Sequence, residues 1–163
     1  MKSNKIKELV IAAMGIACVF LATYYIKVPN GIQGYFNLGD GFILLFGALV
    51  NPLYAFIIGG VGSGLADIVG GYGIYFIPTL IIKGLEGIIV SRFVSSTTKD
   101  TKRYIVYVIC SLIMVCGYFI TDAYVNQSWY LSATGIPANI IQGAAGIVIA
   151  GLVYPMIRKN EVK

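Results

Sequence analysis

Apolar residues run along this chain in long blocks, separated by short clusters of Pro, Gly, Asn and charge. The blocks fall at residues 9–26, 38–50, 53–69, 74–93, 104–124 and 137–157. The breaks read KVPNGIQGYFN, Asn51-Pro52, GGYG, VSSTTKDTKR and NQSWYLSATG. A helix that crosses a bilayer needs about 20 mostly apolar residues, within a range of about 17–25. Five blocks meet that length; residues 38–50 are apolar but short, and Asn51-Pro52 ends them with a turn signal. Pro137 stands where a first helical turn tolerates proline. The pattern predicts an all-α protein of six transmembrane helices, arranged as one domain over residues 1–163.

Composition assigns the solvent. The chain is 58% hydrophobic and 12% charged, with a mean hydropathy of +0.82; soluble domains are about 45–50% apolar and about 25% charged. A soluble protein of 163 residues could not hide that much apolar surface, so the class is integral membrane. The N-terminus has the basic start and apolar run of a signal peptide. Residues 9–26 are long enough to span, however, and no small-x-small site precedes soluble sequence, so this block reads as a retained first helix.

Lys and Arg set the orientation, because cytoplasmic segments collect them. With the N-terminus inside, Lys2, Lys5, Lys7, Arg92, Lys99, Lys102, Arg103, Arg158, Lys159 and Lys163 fall on the inner side, and Lys27 alone on the outer. Both termini are therefore expected in the cytoplasm of a multi-pass cell-membrane protein. The net charge of +5 is a topology signal and gives no reason to expect nucleic-acid binding.

Some chemistry is excluded early. There is no histidine, which removes His-based acid–base catalysis and most transition-metal sites. Cys18, Cys110 and Cys116 lie in apolar runs without metal spacing, so neither a disulfide framework nor a zinc site follows. No metal, cofactor or enzymatic activity is expected.

The stretch GGVGSG at Gly59–Gly64 has the glycine density of a phosphate-binding loop, but no Lys-Ser/Thr follows and no strand precedes it. Small-residue helix packing is the better reading, since Gly60 and Gly64 share a helix face. Ala13 with Ala17, and Gly143 with Gly146 and Ala150, repeat the device.

Charges inside the blocks say more. An ionisable side chain at a helix centre costs about 2.5–3.5 kcal/mol on insertion scales, so it faces a protein interior or a wet cavity. Asp67 shares a face with Gly60 and Gly64. Tyr75, Thr79, Lys83 and Glu86 line one face of the fourth helix, and Asn139, Gln142 and Gly146 one face of the sixth. Asp40, Asp67, Asp122, Tyr75, Thr79, Asn139 and Gln142 all fall toward the outer side, with the loop aromatics Tyr35, Phe36, Tyr72, Trp129 and Tyr130 just above. These groups predict an outward-opening pocket with aromatic walls and a few orienting polar groups. Plainer readings stand beside it. Lys83 and Glu86 could neutralise each other, Asp40 could serve the helix dipole, and the aromatics could form an interfacial belt.

The segments FNLGDGFILLFGALVNPLYAFIIGGVGSGLAD and YFIPTLIIKGLEG, with Ala13-x-x-x-Ala17 and six spans in a short chain, resemble the substrate-binding (S) components of energy-coupling factor vitamin transporters. The resemblance is closest to the hydroxymethylpyrimidine and pyridoxine branch, and NLGD, GSGLAD and IIKGLEG are its most specific parts. It implies a subunit without its own ATPase that captures a vitamin outside and topples to deliver it. It further implies docking on a transmembrane T component driven by two cytoplasmic ATP-binding subunits, with Ala13 and Ala17 on the docking surface. Substrate contacts would come from loop 1 and the outer halves of helices 4 to 6. The candidate substrate residues are thus Tyr35, Asp40, Asp67, Tyr75, Thr79, Lys83, Asp122, Trp129, Asn139 and Gln142. Aromatic walls suit a flat heteroaromatic ring, and a single intramembrane cation disfavours phosphate esters.

Three other classes compete. A stand-alone proton-coupled carrier working through Asp67, Lys83 and Glu86 lacks the internal repeats that secondary transporters often show. A membrane enzyme would have only a Lys83–Glu86 acid–base pair to work with. A packing-only scaffold would not cluster its polar groups toward one side.

Overall fold

The computed structural model describes residues 2–29 and 35–161, with side chains for 5–29 and 35–157. Residues 30–34 of the first loop, and the side chains of Lys2, Arg158, Lys159 and Lys163 that entered the charge argument, lie outside the described residues. In chain order the elements are α1 (Lys2–Tyr25), β1 (Lys27–Pro29), β2 (Tyr35–Asn37), α2 (Gly39–Gly47) and α3 (Pro52–Phe56). A π turn (Ile57–Val61) leads into α4 (Gly62–Val69), and a 3-10 turn (Gly73–Tyr75) into α5 (Phe76–Phe93). The chain ends with α6 (Asp100–Val125), α7 (Trp129–Ala133) and α8 (Ile136–Glu161).

Five helical segments among the described residues are long and apolar enough to cross a bilayer: Lys5–Tyr25, Pro52–Val69, Gly73–Phe93, Asp100–Val125 and Trp129–Ile157. The chain is an all-α membrane protein, and its side chains face outward accordingly. Met14, Leu21, Ile81, Leu112, Val148 and Leu152 are exposed on the bundle's surface, where hydrocarbon rather than water is the matching solvent.

The second expected span differs. Residues 38–50 form only the nine-residue α2, which rises about 14 Å at 1.5 Å per residue; a hydrocarbon core is about 30 Å thick. The cause is local: the preceding residues dip into the bundle, and Asn51 starts a new helix. Asn51 Oδ1 accepts from the backbone N–H groups of Leu53 and Tyr54 at 3.0 and 3.2 Å, and Pro52 occupies the first turn, where its missing donor is harmless. Seven residues of α2 are buried, from Gly39 to Gly47, as expected of a short helix that is apolar all round. Its start abuts Thr23 near the end of α1. The turn after it reaches back toward the start of α1, where the Asn51 N–H donates to Glu8 Oε1 at 2.5 Å. Thus α2 runs antiparallel to α1.

The first loop also holds more order than a Pro/Gly-rich break suggests. β1 and β2 pair antiparallel, Lys27 with Asn37, Val28 with Phe36 and Pro29 with Tyr35. Away from this hairpin, Leu44, Leu45, Val90, Tyr107, Cys110, Ala150 and Tyr154 form one apolar core. Ala12, Val19, Ile43, Ala55 and Ile58 form another, where α1, α2, α3 and the π turn meet.

The glycines do pack helices. A Cβ on Gly59 would stand 2.2 Å from the carbonyl oxygen of Lys83, one on Gly60 2.6 Å from that of Leu80, and one on Gly87 2.2 Å from that of Ala55. The rod formed by α3, the π turn and α4 therefore lies backbone to backbone against α5. Likewise Gly146 lets α8 close on Asp40 and Gly41 of α2. The alanines of α1 are a correction. Ala13 and Ala17 are exposed while Ala12, Gly15 and Val19 are buried, so the Ala-x-x-x-Ala pair joins no two helices of this chain.

A methyl group at Gly59 would meet the Lys83 carbonyl at 2.2 Å, backbone that cannot turn aside as a side chain can, and over-packing costs about 1–3 kcal/mol. Gly59→Ala is expected to lower the midpoint of thermal unfolding in detergent by roughly 5–10 °C. Gly73→Ala, whose Cβ meets nothing within 4 Å, should leave it unchanged.

Candidate functional site: a tyrosine-walled polar cavity

One cavity opens where the hairpin meets the bundle. Its lining side chains come from α1 (Thr23), the hairpin (Tyr35, Asn37), α4 (Ser63, Asp67) and the 3-10 turn (Tyr75). They continue through α5 (Thr79, Lys83), α6 (Tyr118, Asp122) and α8 (Asn139, Gln142). Helical spacing explains the convergence: Ser63 with Asp67, Thr79 with Lys83, and Tyr118 with Asp122 are each four residues apart and so share a face.

The lining groups reach across this space to one another. Tyr35 Oη donates to Asp67 Oδ1 at 2.5 Å, Tyr75 Oη donates to Asp122 Oδ1 at 2.8 Å, and the Thr79 and Tyr118 hydroxyls lie 3.0 Å apart. Burial, and then the neighbouring Asp67 charge, push the Tyr35 phenol well above its usual range, so it stays a proton donor to that carboxylate.

Beneath them lies a buried ion cluster. Lys83 Nζ bonds to Asp40 Oδ1, stands 3.5 Å from Glu86 Oε1, and lies 5.4 Å from the Tyr118 ring centroid. All three charged residues are buried. Asp40 Oδ2 accepts from Gln142 Nε2 at 2.7 Å, and Gln142 Oε1 accepts from the Asn37 backbone N–H at 2.8 Å. Asn37 Oδ1 in turn accepts from the Gly39 N–H at 2.8 Å and from Thr23 Oγ1 at 3.3 Å. The ion pair is thereby wired to α2, α8, the hairpin and α1. Two other lining atoms, Ser63 Oγ and Asp67 Oδ2, are buried with no hydrogen-bond partner.

On its outer flank the hairpin is held by a cation. Lys27 Nζ lies 4.9, 5.6 and 5.3 Å from the ring centroids of Tyr24, Tyr35 and Tyr72, and the Tyr35 and Tyr72 rings are 4.6 Å apart.

Eight of the ten residues that the sequence proposed for substrate line this cavity: Tyr35, Asp67, Tyr75, Thr79, Lys83, Asp122, Asn139 and Gln142. Asp40 stands behind the wall, bonded to Lys83 and Gln142. Trp129 is elsewhere. It is 63% exposed, packs on Phe119 at 5.4 Å, and faces outward because α7 carries it away from the cavity. Sequence reasoning missed Thr23, Asn37, Ser63 and Tyr118. Two of these had a signal, since Ser63 and Tyr118 each precede a chosen aspartate by one helical turn. Among the described residues no cluster of three or more His, Cys, Asp or Glu could hold a metal ion.

The chain matches, over residues 3–159, the family model described as ECF-type riboflavin transporter, S component. It belongs to that family. Among its relatives, an uncharacterized protein of Pyrococcus woesei is 36% identical over 143 residues, covering 87% of this chain and 95% of the relative. The thiamine precursor transporter HmpT of Lactococcus lactis subsp. cremoris is 27% identical over 164 residues, covering 99% and 94%. Like others in its family, then, this S component is a membrane transport subunit rather than an enzyme, and the family implies a T component and ATPases as partners.

Removing one member of a buried ion pair leaves the other uncompensated, at about 3–5 kcal/mol. Lys83→Met is expected to lower the unfolding midpoint in detergent by about 10 °C or more. Adding Asp40→Asn to it should restore part of that loss, which thermal unfolding of the two variants side by side would read.

Proposed function

We propose that this S component captures one small heteroaromatic vitamin or vitamin precursor, of the hydroxymethylpyrimidine or pyridoxine class, from the outer side of the cell membrane. The observation that carries the reading is the convergence of polar side chains from α1, the hairpin, α4, α5, α6 and α8 on one tyrosine-walled cavity in an otherwise apolar bundle. Rings of Tyr35, Tyr75 and Tyr118 suit stacking with a flat heterocycle. Lys83 is the cavity's one positive group among the described residues, and it is already engaged with two carboxylates, which disfavours phosphate esters. The transport of a thiamine precursor by HmpT supports the pyrimidine class.

In this reading the chain crosses the bilayer six times with both termini cytoplasmic. The short α2 serves as a crossing because it enters from the deep end of the hairpin and runs antiparallel to α1. Delivery proceeds by docking on a T component driven by two ATP-binding subunits, through the exposed Ala13 and Ala17 face of α1. Capture itself needs no partner.

Calorimetric titration of the purified subunit with pyridoxine, pyridoxal, hydroxymethylpyrimidine, thiamine, riboflavin and pantothenate tests this directly. Sub-micromolar one-to-one binding of one compound is expected; silence across the panel would overturn the reading. Ala13→Leu with Ala17→Leu should leave that affinity unchanged while uptake by cells expressing the full transporter falls at least tenfold.

A further inference from the structure

A second concavity opens at the other end of the bundle, where α5 hands over to α6. Arg92, Lys99 and Lys102 line it with Phe93, Ser95 and Thr97, and no carboxylate joins them. All three cations are exposed, and among the described residues none has a carboxylate within ion-pair distance. The one acid of the segment, Asp100, lies 3.0 Å from Arg103 Nη1, and that guanidinium is buried against the ring faces of Tyr104 and Tyr154. The connection is held in one shape. The Ser95 backbone N–H donates to Thr98 Oγ1 at 2.9 Å, Ser91 Oγ donates to the Val50 carbonyl at 2.6 Å, and Val94 is buried in the apolar core. Three like charges are thus kept around one hollow with nothing of opposite sign in it, a repulsion that an anion would relieve.

Apolar surface leads away from both sides of this hollow. On α6, Lys102, Ile105, Ile109 and Leu112 share a helix face, and on α5 Ile81, Leu85 and Arg92 do the same. The apolar members of both stripes are exposed, as is Phe93 beside Arg92. Because α5 ends where α6 begins and the two pack side by side, with Gly117 seating Ile82, both stripes run in the same direction from the cations. At 1.5 Å per residue, Leu112 lies about 15 Å along the axis from Lys102, and Ile81 about 16 Å from Arg92. Half of a hydrocarbon core of about 30 Å is about 15 Å. Each stripe is therefore one leaflet deep, with a cation at its headgroup end.

We infer that this hollow is a binding site for one anionic phospholipid. Its phosphate lies among Arg92, Lys99 and Lys102, where the guanidinium can donate to two phosphate oxygens at once. The Ser95 and Thr97 hydroxyls, 3.1 Å apart, stand beside the cations as further donors, and the acyl chains lie along the two stripes. A free phosphate ester would meet the same cations but leave Phe93 and both stripes uncovered, so a lipid is the occupant this surface fits. In the six-crossing arrangement the lipid belongs to the cytoplasmic leaflet, where anionic headgroups collect and basic hollows between helices hold them. The site is separate from the tyrosine-walled cavity and does not depend on what that cavity captures.

Native mass spectrometry of the full chain, mixed in detergent with equal amounts of palmitoyl-oleoyl phosphatidylglycerol and phosphatidylcholine, tests the site. Each cation near a headgroup contributes about a factor of five. The wild type should therefore retain one phosphatidylglycerol with a preference of about 100-fold, and Arg92→Gln with Lys102→Gln should reduce that preference to about fivefold. Lys5→Gln with Lys7→Gln removes the same charge from the start of α1 and should leave the preference as it is. Unfolding midpoints of both variants near that of the wild type, measured without added lipid, would show that they fold. A wild-type preference below about tenfold would overturn the proposal. An equal fall in the two double variants would overturn it too, because it would mean diffuse attraction to the whole basic side. Displacement of the lipid by millimolar glycerol 1-phosphate would assign the hollow to soluble phosphate esters and overturn the lipid as its occupant. Neither Arg92 nor Lys102 lines the tyrosine-walled cavity, so failure here leaves the capture reading standing, and failure of the vitamin titrations leaves this site standing.

Discussion

A lysine ammonium buried in an apolar bundle constrains everything around it. Isolated, such a charge would be expelled or neutralised, because its desolvation exceeds what packing returns. Lys83 is held by the Asp40 carboxylate, by Glu86 one turn along α5, and by the face of Tyr118. Asp40 can be there only because α2 is short and enters the bundle at the depth of Lys83. Gly146 lets α8 close over Asp40, and Gln142 then occupies its second oxygen. From Gln142 the bonds continue through Asn37 to Gly39 and Thr23. A single ion pair thus fixes where α2 begins, how α8 packs and how deep the hairpin sits.

The glycine-dense rod plays the complementary part. It brings the backbone of Gly59 and Gly60 against the carbonyls of α5, so Lys83 on α5 and Asp67 on α4 reach one space. Without that approach the carboxylate of α4 and the cation of α5 would face separate environments. The glycines, which look like a nucleotide loop on paper, build the cavity by letting two helices touch.

Much of this was legible in the sequence because helical periodicity is a strong rule. The shared face of Tyr75, Thr79 and Lys83, and that of Asn139 and Gln142, followed from 3.6-residue spacing alone. What could not be read depended on breaks in that spacing or on contacts far apart in the chain. The length of α2 is set by where Asn37 docks on Gln142, a contact spanning 105 residues. The π turn at Ile57–Val61 adds a residue that no hydrophobic pattern announces. Trp129 looked like a wall residue because it is an aromatic in an expected outer loop. The separate helix α7, capped by Ser128 Oγ accepting from the Leu131 N–H at 3.2 Å, turns it outward. The hairpin was hidden by its proline and glycines, which usually mean irregular loop.

Lys27 closes the hairpin in an unusual manner. It is the one basic residue of the expected outer loops, and it rests on three ring faces contributed by α1, β2 and the turn after α4. Aromatic faces attract any cation of suitable size. A solute that carries its own positive charge and approaches along the hairpin therefore finds the attractive surfaces already occupied and a like charge in front of it. Neutral heterocycles meet no such obstacle. Lys27 thus gives the approach along the hairpin a sign as well as a shape.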